Sequence, residues 1–173
     1  MDAAKDAAGD AAGDAETQRG AEAARAANSR LVHDFGLLIK SATRLEQRID
    51  SALRRECGIS HTMFEVLIRL CRQPGEEVTQ RALADDLTLT SSGITRLIDR
   101  MEEGTALVRR VPSPQDRRSV LVEATDHGRA VFLRAAEVHG EVVERYFVTP
   151  LAPADYGRLT AWLSEIHGAL RDG

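Results

Sequence analysis

From Leu31 onward the apolar positions keep helical spacing: Leu31, Phe35, Leu38, Ala42, Leu45, Ile49 and Ala52 fall at alternating steps of four and three. That is one stripe along a helix of about 28 residues, roughly 40 Å long. Leu37, Ile39 and Leu53 widen it beyond what a single neighbour covers, which points to a helix in a dimer interface. Gly58 ends this helix. Ser60 then offers a hydroxyl cap to a second helix, whose apolar face is Phe64, Leu67, Ile68 and Cys71, and Pro74-Gly75 closes it. Thr79 caps a short third helix through Leu87, with Leu83 and Ala84 inward. After the break Leu87-Thr88-Leu89, a fourth helix runs from about Thr90 to Glu103. Ile94, Leu97, Ile98 and Met101 face inward, and Ser91, Ser92, Thr95, Arg96, Asp99 and Arg100 lie on the polar side. Gly104 suits its C-terminus.

The period then switches. Leu107-Val108-Arg109-Arg110-Val111 and Ser119-Val120-Leu121-Val122-Glu123 read as strands around the turn-rich Pro112-Ser113-Pro114-Gln115-Asp116. Together they predict a two-stranded hairpin with an arginine-rich tip. Asp126 is expected to cap a fifth helix to about Phe147, with Val131, Ala135, Val138, Val142 and Tyr146 inward. Pro150 breaks it. Pro153 opens a last helix with Leu159, Trp162, Leu163, Ile166 and Leu170 on one side. The fold class is therefore mainly α with a small β-hairpin wing.

Composition narrows the function. The 173 residues suffice for one domain with a tail. The longest apolar runs fall far short of the ~20 residues a membrane span needs. No basic patch followed by an apolar stretch opens the chain, and two cysteines make no disulfide framework, so a cytoplasmic protein is expected. The net charge of −4 hides a split. Residues 1–28 hold six acids against three bases, twelve alanines and a repeated Asp-Ala-Ala-Gly, and are expected to stay disordered. The stretch from Arg109 to Arg118 instead carries four arginines and a single acid, a local +3 that attracts phosphate.

Two short helices joined by a tight break and followed by a hairpin make a winged helix-turn-helix. The second helix of such a pair fits the major groove of double-stranded DNA, and the hairpin reaches the adjacent minor groove or backbone. The hydroxyls of Ser91, Ser92 and Thr95 let the helix N-terminus approach phosphates and base edges closely. Arg96 and Arg100 reach further, one to phosphate and one to guanine. Arg117 and Arg118 suit the negative potential of a narrow minor groove. Alone, these arginines would read as a solvated face; their placement on helix and wing turns them toward DNA. Asp99 and Glu102 on the same helix read as structural, because carboxylates repel phosphate.

The run from Val78 through Thr125 resembles the MarR family of transcription regulators. The matching motifs are Thr90-Ser91-Ser92-Gly93-Ile94-Thr95-Arg96-Leu97-Ile98-Asp99-Arg100-Met101-Glu102 and Asp116-Arg117-Arg118-Ser119-Val120-Leu121-Val122-Glu123-Ala124-Thr125. The helix order on either side is also similar, over about residues 29–171. The resemblance implies that Asp116 braces Arg118, which enters the minor groove. It implies a homodimer built from residues 29–58 and 126–171, with a DNA-binding lobe at 60–125 inside a domain of 29–173. It further implies a repressor that reads a pseudo-palindromic site and releases it to a small-molecule effector whose binding residues are unknown. One departure is Glu103-Gly104-Thr105-Ala106-Leu107, about one residue longer than the family's usual link between recognition helix and wing.

Two other readings compete. A winged-helix protein-interaction module would dimerise without touching DNA, and near-neutral charge favours it. A cysteine redox sensor would use Cys57 or Cys71. However, relatives that sense peroxides place that cysteine near the start of the first long helix, and here Cys57 stands at its end. Relatives that sense urate-like ligands use a tryptophan before that helix, an acid and arginines. Glu65, Arg96 and Arg109 match, but no Trp precedes residue 162, and Glu65 reads as a surface carboxylate. His33, His61, His127, His139 and His167 make no metal-ligand spacing, and neither metal nor other cofactor is expected. No enzyme signature is present.

Overall fold

The computed structural model describes residues 17–73, 75–114 and 119–171. The chain divides into two units, Met1–Arg44 and Leu45–Gly173. The first holds helix α1 (residues 17–27), all of it exposed, and the opening part of α2 (Arg30–Cys57). Alanine's helix propensity accounts for α1. The rest of the Ala/Asp-rich tail, residues 1–16, lies outside the described residues. On α2 the apolar stripe is present but uncovered here: Leu31, Phe35 and Leu37 are 82%, 64% and 60% exposed.

In the second unit the stripe sinks into the core at Ile49, Ala52 and Leu53. Its further elements are α3 (His61–Arg72), α4 (Gln80–Asp86), α5 (Ser91–Asp99), β1 (Val108–Pro112), β2 (Val120–Ala124), α6 (Asp126–Val143) and α7 (Pro153–Arg171). Leu53, Leu67, Leu83, Ile98 and Met101 are fully buried at their meeting point. The caps at Ser60, Thr79 and Thr90 each accept a backbone N–H three residues on, from Met63, Ala82 and Gly93. Gly58 ends α2 at φ +71°, a left-handed conformation that glycine adopts without strain. Against α6, His61 stacks on His139 with ring centroids 6.1 Å apart. Burial, and the neighbouring His61, push the His139 pKa down. Among the described residues no helix is long and apolar enough to cross a membrane.

The structure departs from the sequence expectations in several details: residues 17–27 of the tail expected to stay disordered form α1, and Tyr146, expected inward, is exposed. Both strands start one residue later than expected, in the register Val108↔Ala124 to Pro112↔Val120. The fourth helix stops being α at Asp99 and closes as a wide π turn over Arg100–Gly104. Such a turn closes i→i+5 and uses one residue more than an α turn, which takes up the long link to the wing. The fifth helix likewise ends in a π turn, Glu144–Val148. Its cap is Thr125 rather than Asp126, because the Thr125 Oγ1 accepts the Gly128 N–H at 2.9 Å.

Thr125 also ties the wing's base to α6. Its hydroxyl donates to the Ala106 carbonyl at 2.7 Å, and its N–H donates to the Leu107 carbonyl at 3.0 Å. A side chain at Gly128 would collide with this junction, since a Cβ there would stand 1.9 Å from the Leu107 carbonyl oxygen. On the far edge of the hairpin, Thr79 bridges to Leu121 and Val122 N–H donates to the Val78 carbonyl at 2.8 Å. The edge of β2 is thereby covered by the segment that opens α4.

Along α7 no residue is buried, and Trp162, Ile166 and Leu170 are exposed. The apolar side read from the sequence exists there but has no cover within its unit.

Gly128→Ala should destabilise the protein by about 1–3 kcal/mol, because the backbone at Leu107 must move. Gly140→Ala on the same helix meets nothing within 4 Å. It should gain up to about 1 kcal/mol from helix propensity alone. Urea unfolding of both variants checks the contrast; equal midpoints would remove the close approach.

Candidate nucleic-acid interface

α5 divides cleanly by burial. Ile94, Leu97 and Ile98 are at most 3% exposed, while Ser91, Ser92, Thr95, Arg96 and Arg100 all lie open. The five residues expected on this helix therefore form one solvent face. Thr90 caps the helix, accepting the Gly93 N–H at 3.1 Å, and its hydroxyl lies 3.3 Å from that of Ser92. The Arg100 Nε donates back to the Arg96 carbonyl at 3.4 Å, which lays that side chain along the helix. Among the described residues the Arg96 guanidinium has no partner. The positive end of the helix dipole points outward with them, favouring anions at this turn.

The wing joins this face through one arginine. Arg110 on β1 donates through Nη2 to Asp99 at 2.5 Å and through Nη1 to Glu102. Its backbone N–H also donates to Glu102, at 2.8 Å. The Gln80 side-chain carbonyl, oriented by the same network, accepts from Arg110 Nε at 2.7 Å and Nη2 at 3.0 Å. Partial burial works against the charge of Arg110, but the bonds to Asp99 and Glu102 more than offset it and raise its pKa. Beside it, Arg109 pairs with Glu123, its partner in the register, at 2.8 Å.

These pairs correct the charge reading. Of the four arginines between 109 and 118, Arg109 and Arg110 are compensated internally. Asp116, Arg117 and Arg118 at the wing tip lie outside the described residues. Asp99 and Glu102 do have a structural task, holding β1 against the end of α5. Sequence reasoning missed Arg110 as their partner, and Gln80 as a further partner of Arg110. The available signal was two carboxylates on a helix face otherwise suited to phosphate, followed by an Arg-rich strand.

Elsewhere in this unit, Glu65 is half-buried rather than a surface carboxylate. It lines a cavity of about 620 Å³ with Arg72, His167 and Arg171. Both cysteines are free and half-buried, and burial pushes both thiols above the ordinary range. A peroxide-sensing cysteine needs the opposite shift, because the thiolate is the reactive form.

Arg110→Ala should cost about 1–2 kcal/mol and leave Asp99 and Glu102 facing each other unscreened. Adding Glu102→Gln should recover part of that loss in urea unfolding. A double variant no more stable than the single one would show that the repulsion is not there.

The sequence model of the MarR family matches residues 59–120. The HTH-type transcriptional regulator PecS of Dickeya dadantii is 31% identical over 134 residues, covering 75% of this chain and 80% of that protein. An uncharacterized HTH-type transcriptional regulator, YkoM of Bacillus subtilis, is 31% identical over 144 residues, with coverage of 83% and 87%. Among solved structures, AbsC of Streptomyces coelicolor, a MarR family transcriptional regulator, superposes with a TM-score of 0.74 at 26% identity, over 84% of this chain and 97% of that one. Sco3205 of the same organism, a MarR family regulator solved in complex with DNA, gives 0.73 at 26% identity, with coverage of 82% and 92%. With the winged lobe, the matched profile and relatives covered over most of their length, the chain belongs to the MarR family of transcription regulators.

Proposed function

We propose that this regulator is a cytoplasmic homodimeric repressor that reads a pseudo-palindromic DNA site and releases it when a small molecule binds. The observation that carries the reading is the α5 face, where Ser91, Ser92, Thr95, Arg96 and Arg100 stand open above a fully packed base. The chain's similarity to Sco3205, solved in complex with DNA, supports DNA as the partner. The wing tip, Asp116, Arg117 and Arg118, completes the proposed contact, with Asp116 bracing Arg118 in the minor groove.

Dimerisation is supported by the apolar residues left open in each unit. Leu31, Phe35 and Leu37 on α2 and Trp162, Ile166 and Leu170 on α7 are more hydrophobic surface than a monomer comfortably exposes. Two-fold symmetry would set the two recognition helices about one helical turn of DNA apart. An effector that favours a wrongly spaced dimer by a few kcal/mol would then empty the site. The cavity beside Glu65, at about 620 Å³, is within the usual size range of small-molecule sites.

Selection of random duplex DNA by the purified protein, followed by titration of the winning duplex at several salt concentrations, tests this reading. The expected winner is an inverted repeat with half-site centres about 10 base pairs apart and a steep negative salt slope. Failure to enrich any motif at low salt, with a dimer confirmed by sedimentation, would favour a protein-interaction module instead.

A further inference from the structure

We infer that Thr95 reads DNA with its methyl group, contacting the 5-methyl of a thymine, and not with its hydroxyl. The inference rests on the proposed DNA-binding role of α5 and adds a specificity determinant to it.

Four hydroxyl side chains stand at the start of this helix, Thr90, Ser91, Ser92 and Thr95, and three of them are engaged internally. The Thr90 oxygen caps Gly93, and the Ser92 oxygen lies against that of Thr90. Thr95 Oγ1 donates to the Ser91 carbonyl at 2.8 Å. A hydroxyl carries a single proton, so with that proton held by its own helix the Thr95 oxygen can only accept. Phosphate oxygens, guanine O6 and N7 and thymine O4 are acceptors too, and none of them can pair with it. What the exposed side chain has left to present is its γ-methyl and an oxygen open only to the amino protons of adenine N6 or cytosine N4; of the two, the methyl is the part a thymine can meet.

Position favours the same answer. Thr95 shares its strip of the helix with Ser91 and Ser92, four and three residues earlier, on the N-terminal turns that approach base edges most closely in this motif. Only thymine among the four bases displays a methyl in the major groove. A β-branched residue on an exposed helix face also costs some helix propensity and contributes nothing to the core here. Apolar contact with a base edge gives it a role.

The test uses the duplex that the wild-type protein selects, with each thymine replaced singly by deoxyuridine, which removes only the methyl. Wild type should lose about 4-fold in affinity at one thymine per half-site, and on the order of 15-fold when both half-sites are changed. Thr95→Val keeps the methyl and should reproduce the wild-type pattern. Thr95→Ser keeps the hydroxyl and should bind the parent duplex weakly, with no preference between thymine and uracil at that position. A flat uracil scan with wild type would overturn the inference while leaving DNA binding intact. So would a Thr95→Val variant that loses affinity while Thr95→Ser does not. Arg96→Ala on the same duplex reports separately on the helix: unchanged affinity there, or no duplex enriched at all, would overturn the reading beneath the inference as well.

Discussion

The guanidinium of Arg110 ties the first strand of the wing to the end of α5, the π turn that follows it and the start of α4, where it bonds Asp99, Glu102 and Gln80 respectively. A wing of two five-residue strands has little stability of its own. Its direction relative to α5 is therefore set by what clamps it. The charged bonds supply direction, while the apolar positions beneath supply most of the adhesion: Leu107, Val108, Val122 and Ala124 are all buried. Both carboxylates at this end of α5, Asp99 and Glu102, are committed to an arginine of the same molecule.

The wing is fixed at its base as well. Thr125 bonds the backbone at Ala106 and Leu107, and Gly128 lets α6 approach that backbone more closely than any side chain would allow. The base of the wing is thus bonded both to the end of α5 and to the start of α6. Among the described residues of α5 and the turn after it, the Ser91 hydroxyl, the Arg96 guanidinium, most of the Arg100 guanidinium and the outer side of Thr95 stay uncommitted.

Much of this was legible from the sequence, and the limits are physical. Periodicity located each long helix, and Ser60, Thr79 and Thr90 marked their starts because capping is a local interaction between neighbours. The exposed face of α5 followed from the spacing of Ile94, Leu97 and Ile98. Helix ends were less visible: nothing in Arg100-Met101-Glu102-Glu103-Gly104 distinguishes a π turn from an α turn. The bridge from Thr79 to Leu121 is too short to leave a pattern. The partners of Arg110 escaped notice because they lie at separations where only the folded chain brings them together. Counting arginines overstated the free charge for the same reason, since Arg109 meets Glu123 only through strand register.

The most direct measurement is a paired footprint of wild type and Arg110→Gln on a duplex selected by the wild-type protein. Methylation protection at guanine N7 reports the helix in the major groove, and hydroxyl-radical protection across the minor groove reports the wing. If Arg110 aims the wing, its flanking minor-groove protections should fade while the N7 protections persist. Loss of both in equal proportion, or no change in either, would contradict that role.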